Sequence, residues 1–190
     1  CSYMEELEFI GESKIKQITP YDELIDIVEE AFIAYDNGNV EMPDKSYVMI
    51  DDHNGDFRSM PAYINTPNWE ASGVKWVNVH PDNKDLDTVM GTVIYTDPST
   101  GQPLATMDGT EITKRRTATA SAIATDHLAI DNVSDIGILG AGVQSYEQVR
   151  AIEQIRDFSR ILVSDVREEA VDKFKESFEE YDVVSVSPKE

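Results

Sequence analysis

The sequence predicts an α/β chain in two parts: a mixed α+β part built mainly on antiparallel strands, then a part in which strands and helices alternate. Three observations predict it. Short β-rich runs broken by Gly, Pro, Asn and Asp fill residues 46 to 108. Helical periodicity brackets them on both sides. From residue 134 the apolar pattern switches between strand and helix.

The elements follow in order. "ITPYDELIDIVEEAFIAYDNGN" predicts a helix, with Thr19 placed to cap it, Pro20 where a missing N–H costs nothing, and Asp22 and Glu23 at its positive end. Leu24, Val28, Ala31, Phe32 and Tyr35 recur at helical spacing as a packing face, and Gly38 can stop the helix in the left-handed conformation. "SYVMI", "RSMPAYI", "GVKWVNV", "TVMGTVIYTD" and "PLATMD" read as strands, with "DPSTGQP" as a hairpin loop. "GTEITKRRTATASAIATDHLAI" returns to helical period, with Thr110 and Glu111 at its start and Ile112, Arg116, Ala120, Ile123 and Leu128 near one face. "DIGIL", "VQSYEQVRAIEQI", "RILVSD", "REEAVDKFKESFEEY" and "DVVSVS" then alternate, which implies parallel strands with crossover helices. The boundary falls in "AIDNVS", giving domains over residues 1–131 and 132–190.

Composition excludes several functions. There are 37 acidic residues against 16 basic ones, a formal charge of −21, and so negative a surface repels phosphate backbones. The charge is spread along the chain, which suits a folded protein from a very salty cytoplasm rather than a disordered tail. Cys1 is the single cysteine, so no internal disulfide forms, in keeping with a reducing compartment. No apolar run approaches the ~20 residues of a membrane span and no basic-then-apolar leader is visible, so a soluble, cytoplasmic protein is expected. His53, His80 and His127 have no metal-ligand spacing, and no metal is expected. Trp69 and Trp76 read as core or interface aromatics.

"SDIGILGAGVQSYEQ" carries the most chemistry. A buried strand runs into a turn in which Gly140 permits the tight bend and Gly142 lets backbone approach a pyrophosphate. The helix that follows offers free N–H groups to that anion. Asp165 ends the next strand 25 residues beyond Gly140, near the ~20-residue interval at which an acid accepts from the ribose hydroxyls of NAD. A carboxylate repels a 2′-phosphate, so NAD is favoured over NADP. Arg167 argues the other way, and Ser145 stands in the third glycine position. The bland alternative is a helix-capping turn in an α/β domain that binds no nucleotide.

Arg58, Lys75 and Arg116 lie in predicted strands or at a helix start among apolar neighbours, where a charge is costly unless paired. Acidic side chains are the ordinary partners of any one of them. For all three together, a carboxylate ligand becomes attractive.

"RSMPAYI", "GVKWV", "TVMGTVIYTDPSTGQPLATMDGTEIT", "RRTATASAIA" and "IGILGAGVQS" stand in the order and spacing of the ornithine cyclodeaminase/μ-crystallin family, and the resemblance runs from about residue 18 to 180. It implies a two-domain NAD(P)-dependent enzyme, usually a homodimer, with a substrate-binding and dimerisation domain ahead of a Rossmann domain. Motif by motif, it implies that Lys75 and Arg116 hold the substrate carboxylate and that Thr88 lies near nicotinamide and substrate. It places Thr117 against the cofactor, Gly140, Gly142, Val143, Gln144 and Ser145 around the pyrophosphate, and Asp165 on the ribose. His80 lies in a loop that the family has near the substrate.

Arg58 occupies the position where the cyclodeaminases resemble one another in a glutamate. An arginine there fits the alanine dehydrogenase and ketimine reductase branches, where it joins the lysine on the carboxylate. The expected activity is therefore hydride transfer at Cα of a small amino acid or imine, with Lys75 also placed to polarise the developing carbonyl or imine. Ornithine cyclodeaminase, and a ligand-binding crystallin-like protein without turnover, remain the alternatives. Only the first half of the Rossmann domain is expected within these 190 residues. The chain is then a fragment of a parent of roughly 300 residues or more, inactive alone, with the family's catalytic aspartate beyond residue 190.

Overall fold

The computed structural model describes residues 7–187. Along the chain lie β1 (Glu8–Ile10), α1 (Glu12–Ile18), α2 (Tyr21–Asp36), β2 (Val40–Glu41), β3 (Ser46–Ile50), β4 (Gly55–Asn65), β5 (Glu70–Val79), β6 (Val89–Thr96) and β7 (Pro103–Asp108). Then come α3 (Gly109–Leu128), β8 (Asp135–Leu139), α4 (Val143–Ile152), β9 (Arg160–Ser164), α5 (Glu168–Glu176) and β10 (Asp182–Ser185). They form two compact units. One comprises the chain up to Pro20 with Glu29–Thr113, the other Tyr21–Val28 with the chain from Lys114 onward. The second unit thus takes in most of α3, upstream of the boundary that the sequence pattern indicates.

The first unit is a seven-stranded sheet in the order β1-β7-β6-β5-β4-β2, with β3 also paired to β4. β4 to β7 form three successive antiparallel pairs, and β1 runs parallel to β7. The loops explain the hairpins. At the predicted turn between β6 and β7, the Asp97 carboxylate accepts from the Ser99 and Thr100 amides, and Gly101 takes φ +75°. Between β4 and β5, the Thr66 hydroxyl oxygen accepts from the amides of Asn68 and Trp69, while the Trp69 indole N–H donates to Glu30 at 2.8 Å.

Sheet and helix meet most closely at Gly109. A Cβ there would lie 2.7 Å from the Gly91 carbonyl carbon, so the first residue of α3 has no room for a side chain. The Gly91 N–H donates to the Thr110 hydroxyl at 3.1 Å, and Asp108 Oδ1 accepts from the Glu111 N–H at 2.9 Å. Asp108 is therefore the cap of α3, and its entry from β6 and β7 is fixed to within a side chain's width.

The second unit carries a parallel sheet in the order β10-β9-β8, crossed over by α4 and α5. Its core is Ile138, Val149, Ile161, Val163, Val171, Phe174 and Phe178, with Tyr146 stacked on Phe178 and Phe158 on Tyr181. This is the first half of a doubly wound fold, in the strand order that such a half requires.

Several local expectations are corrected. Thr19 does not cap α2. Its hydroxyl donates to the Ile15 carbonyl at 2.6 Å and so closes α1, a short helix whose seven residues give too little periodicity to be seen in the sequence. Phe32 and Tyr35 are exposed, and Ala34 is the buried residue of the last turns of α2. On α3, Leu128 is exposed while Ala118, Thr119 and Ala122 are fully buried, because small side chains let the helix lie close to its neighbours. Among the basic residues of that helix, Arg115 rather than Arg116 is buried.

Arg115 belongs to a buried polar network. Tyr21 donates to Glu147 Oε2 at 2.6 Å, Arg115 Nη1 lies 3.8 Å from the same oxygen, and the guanidinium sits 4.3 Å from the centre of the Tyr21 ring. Glu147→Ala removes an acidic partner of the buried Arg115 and the acceptor of the Tyr21 hydroxyl, so it should cost about 2 kcal/mol in urea unfolding. Glu147→Leu combined with Arg115→Met should recover most of that loss. A single variant as stable as the parent protein would show that the network contributes nothing.

Candidate functional site

The candidate site residues fall into two groups, one in each unit. In the first, register decides the arrangement. Arg58 of β4 faces Val77 of β5, and Met60 faces Lys75, so Arg58 and Lys75 are diagonal neighbours on one face of the sheet. Lys75 is half-buried, and its Nζ donates to the Thr113 hydroxyl at 3.4 Å. Arg58 is engaged by Asp56, two residues back on the same strand face. Its Nε and Nη2 donate to the two carboxylate oxygens at 2.6 and 2.9 Å, and the guanidinium lies 5.1 Å from the centre of the Tyr47 ring. That pair raises the pKa of Arg58 and lowers that of Asp56. The acidic partner is the ordinary reading of a strand arginine, and it holds here. The pair leaves Nη1 of Arg58 uncommitted to Asp56.

Thr88 is exposed just before β6, and its carbonyl accepts the His80 amide at 2.8 Å. The His80 ring lies over Gly55, where a Cβ would come within 2.7 Å of it, so His80 is spent on packing the β4 entry. Trp76 stacks on Phe57 at 4.3 Å and stays partly exposed.

In the second unit the arginines separate cleanly. Arg115, Arg150, Arg156, Arg160 and Arg167 each face an acid, as Arg58 does in the first unit. Arg116 is the exception: it has no ion-pair partner among the described residues, in a chain with 37 acids. It is solvent-accessible, yet the protein around it lowers its pKa by desolvation. A cation with water access but incomplete hydration is a ready receptor for an anion. Thr117 follows it, half-buried on the next step of α3.

The glycine turn has the geometry a dinucleotide needs. Gly140 takes φ +94°, which a larger side chain would strain, and its N–H donates to the Ser164 carbonyl at 2.7 Å. Gly142 precedes α4, whose first turn has no side-chain cap, and a Cβ on either glycine would meet only open space. Ser145 fits the third glycine position because its hydroxyl folds back onto the Gly142 carbonyl at 2.6 Å and is buried there. Val143 is exposed beside the turn, and the buried Oε1 of Gln144 has no partner among the described residues. An orphaned acceptor beside an open, uncapped helix start fits a ligand that brings both anionic oxygens and hydroxyl donors.

Asp165 ties this turn to the end of β9. Its Oδ2 accepts from the Ala141 N–H at 2.8 Å and its Oδ1 from the Arg167 N–H at 2.9 Å. The Arg167 side chain adds Nε and Nη2 contacts, both at 3.2 Å. The guanidinium first, then the two backbone amides, hold the Asp165 carboxyl far below the usual carboxylate range, so it is ionised at any working pH. Among the described residues no group of His, Cys, Asp and Glu could hold a metal ion.

Sequence reasoning missed Asp56, Thr113 and the Tyr21–Glu147–Arg115 network. Asp56 carried a signal, since alternate residues of a strand share a face. Glu147 and Arg115 carried none, because their pairing is made only by the packing of α3 against α4.

With this geometry in view, the chain can be set beside known proteins. Alanine dehydrogenase of Archaeoglobus fulgidus is 40% identical over 184 residues, covering 95% of this chain and 55% of that protein. A solved archaeal alanine dehydrogenase dimer with bound NAD superposes with a TM-score of 0.88 at 37% identity, covering 96% of this chain and 57% of that one. Δ1-pyrroline-2-carboxylate reductase of Thermococcus litoralis, solved with NADH and L-proline, gives a TM-score of 0.88 at 34% identity over 95% of this chain and 57% of that one. The chain thus spans little more than half the length of these relatives. The family model for ornithine cyclodeaminase/mu-crystallin proteins matches residues 6–190, and the chain belongs to that family.

Proposed function

We propose that this chain is the substrate-binding part and first dinucleotide-binding half of an NAD-dependent oxidoreductase, acting at Cα of a small amino acid or its imine. Residues 1–131 would serve the substrate and a homodimer contact, and residues 132–190 the cofactor. The observation that carries the reading is Arg116, an arginine without an acid among the described residues of a strongly acidic chain. Its guanidinium fork suits a carboxylate, and Lys75 supplies an ammonium group of the same use. The relatives support this reading, one being an archaeal alanine dehydrogenase with bound NAD and another a Δ1-pyrroline-2-carboxylate reductase in complex with NADH and L-proline.

In this reading Gly140, Gly142, Val143, Gln144 and Ser145 surround the pyrophosphate, Asp165 meets the adenosine ribose, and Thr88 and Thr117 lie towards the reacting end. The dinucleotide, when bound, supplies the two-electron oxidation or reduction at Cα. Lys75 in the first unit and Arg116 in the second are each suited to a substrate carboxylate, and Lys75 Nζ to charge developing at the carbonyl or imine. Arg58 contributes through its uncommitted Nη1. Asp56, the acid beside it, is neutralised by that arginine, which leaves it poorly suited to a second amino group and favours the dehydrogenase or imine-reductase branch over ornithine cyclisation.

In the intact enzyme, oxidation of alanine or reduction of a cyclic imine should be measurable through NADH absorbance. Arg116→Ala should raise KM for the amino acid by about ten- to a hundredfold, since it removes one charge-assisted contact, with the melting temperature unchanged. Lys75→Met should lower kcat/KM by about a hundredfold or more, again without loss of stability. Wild-type kinetics in either variant would remove that residue from the site. Release of ammonia and proline from ornithine, with no net NADH, would instead identify a cyclodeaminase.

A further inference from the structure

Arg58 is held on its sheet face from several sides. The β3–β4 register sets Tyr47 opposite it, and the β4–β5 register sets Val77 opposite it on the other flank. Asp56 precedes it on the same face of β4, and Met60, the cross-strand partner of Lys75, follows it. Two of these neighbours bind the guanidinium. Asp56 takes Nε and Nη2 at 2.6 and 2.9 Å, and the guanidinium carbon lies over the Tyr47 ring, 5.1 Å from its centre. The Asp56 side chain is only 14% exposed and that of Arg58 29%, so this is not a loose surface pair.

A guanidinium carries five N–H donors in one plane. Asp56 occupies one edge of that plane and Tyr47 lies against one face. The edge formed by Nη1 and the second N–H of Nη2 is not committed to Asp56, and such an edge can grip a carboxylate with two parallel bonds. A long side chain that is ordered beforehand need not be ordered by its ligand. Asp56 also has an opposing effect, because its charge weakens the pull of the guanidinium on an anion. At a partly exposed site water and salt screen that effect, whereas the ordering cost is not screened, so ordering dominates.

We propose that Asp56 and Tyr47 are positioning residues for the substrate carboxylate: together they hold Arg58 in one place before the ligand arrives, with one donor edge left to receive it. This deepens the substrate reading above and rests on it.

The test is steady-state kinetics of the intact enzyme with whichever carboxylate substrate turns over, L-alanine with NAD or Δ1-pyrroline-2-carboxylate with NADH. Melting temperatures accompany every variant. Arg58→Ala should raise KM for that substrate about tenfold or more, the loss of a charge-assisted contact. Asp56→Ala should raise it about two- to tenfold with kcat little changed, the range for ordering one long side chain on binding. Asp56→Asn keeps one acceptor and should fall between Asp56→Ala and the parent enzyme. Tyr47→Leu should raise KM about twofold, and Tyr47→Phe should keep the parent value, since the ring face rather than the hydroxyl is used. In the Arg58→Ala background none of these substitutions should raise KM further, because positioning residues act only through the arginine they hold. A KM that is unchanged or lowered in Asp56→Ala would show that Asp56 competes for the guanidinium or is idle, and would overturn the proposal. An equal rise with and without Arg58, as a merely structural role produces, would overturn it too. Parent-like KM in Arg58→Ala would instead remove Arg58 from the substrate site, and with it the reading on which the proposal rests.

Discussion

The carboxylate of Asp165 is the contact on which the glycine turn after β8 depends. One oxygen accepts the amide of Ala141 in the glycine turn, the other the amide of Arg167 beyond β9. Two segments 24 residues apart are thereby joined at a single side chain. The turn's other ties are the Gly140 N–H on the Ser164 carbonyl and the Ser145 hydroxyl on the Gly142 carbonyl. Gly140 and Gly142 contribute no side chains, and a Cβ at either would meet open space. Glycine makes such a turn possible but also costs entropy when it is fixed, so a strong, charged acceptor is the natural anchor. In the proposed reading the same group also meets the ribose, so a ligand that reaches Asp165 would report on the state of the turn.

Charge organises the remainder. In a chain carrying −21, a basic side chain finds an acid unless geometry prevents it, and the arginines show this. Arg160 pairs with Asp135 across β8 and β9, Arg156 with Asp126, and Arg150 with Glu147. Exposed pairs of this kind contribute little stability, so their value as a baseline exceeds their energetic weight. Against that baseline Arg116 stands out, and Arg58 does not. The expectation that Arg58 and Arg116 serve one ligand on equal terms is thus uneven once the partners are known. One guanidinium is half spent on Asp56, and the other is open.

Much of this was legible in the sequence, and the reasons differ element by element. The run from "DIGIL" through "GAGVQS" to Asp165 was clear because three independent signals coincided: a β-rich run, glycines at fixed spacing, and an acid at a strand end. The strands from residue 46 to 108 were clear because their turns are marked by Gly, Pro and Asp. Thr19 was misread because a hydroxyl between two helices can serve either one, and only the presence of α1 decides which. Arg115 and Arg116 could not be told apart, since adjacent helical residues differ by about 100° in direction and burial depends on what lies on each side. The outward position of Phe32 and Tyr35 escaped for the same reason: helical spacing identifies an apolar stripe but not what covers it.

The buried ion pair at Glu147 connects these observations. Ion pairs taken out of water are weak stabilisers, because desolvation offsets most of the attraction, and apolar side chains of similar volume would serve as well. Their advantage is direction. Glu147 sits one turn into α4, the helix whose first residues are proposed to hold the pyrophosphate, and it binds Tyr21 and Arg115 at once. Arg115 directly precedes Arg116 on α3. The Arg115–Glu147 pair thus ties α3 to α4, and Tyr21 of α2 holds both of its ends, its hydroxyl on Glu147 and its ring against Arg115. The arginine proposed to hold the substrate and the turn proposed to hold the cofactor are carried by the two helices this network joins. Catalytic positioning tolerates little slack. A costly buried charge at this place is then understood as a constraint on geometry, made where geometry matters most.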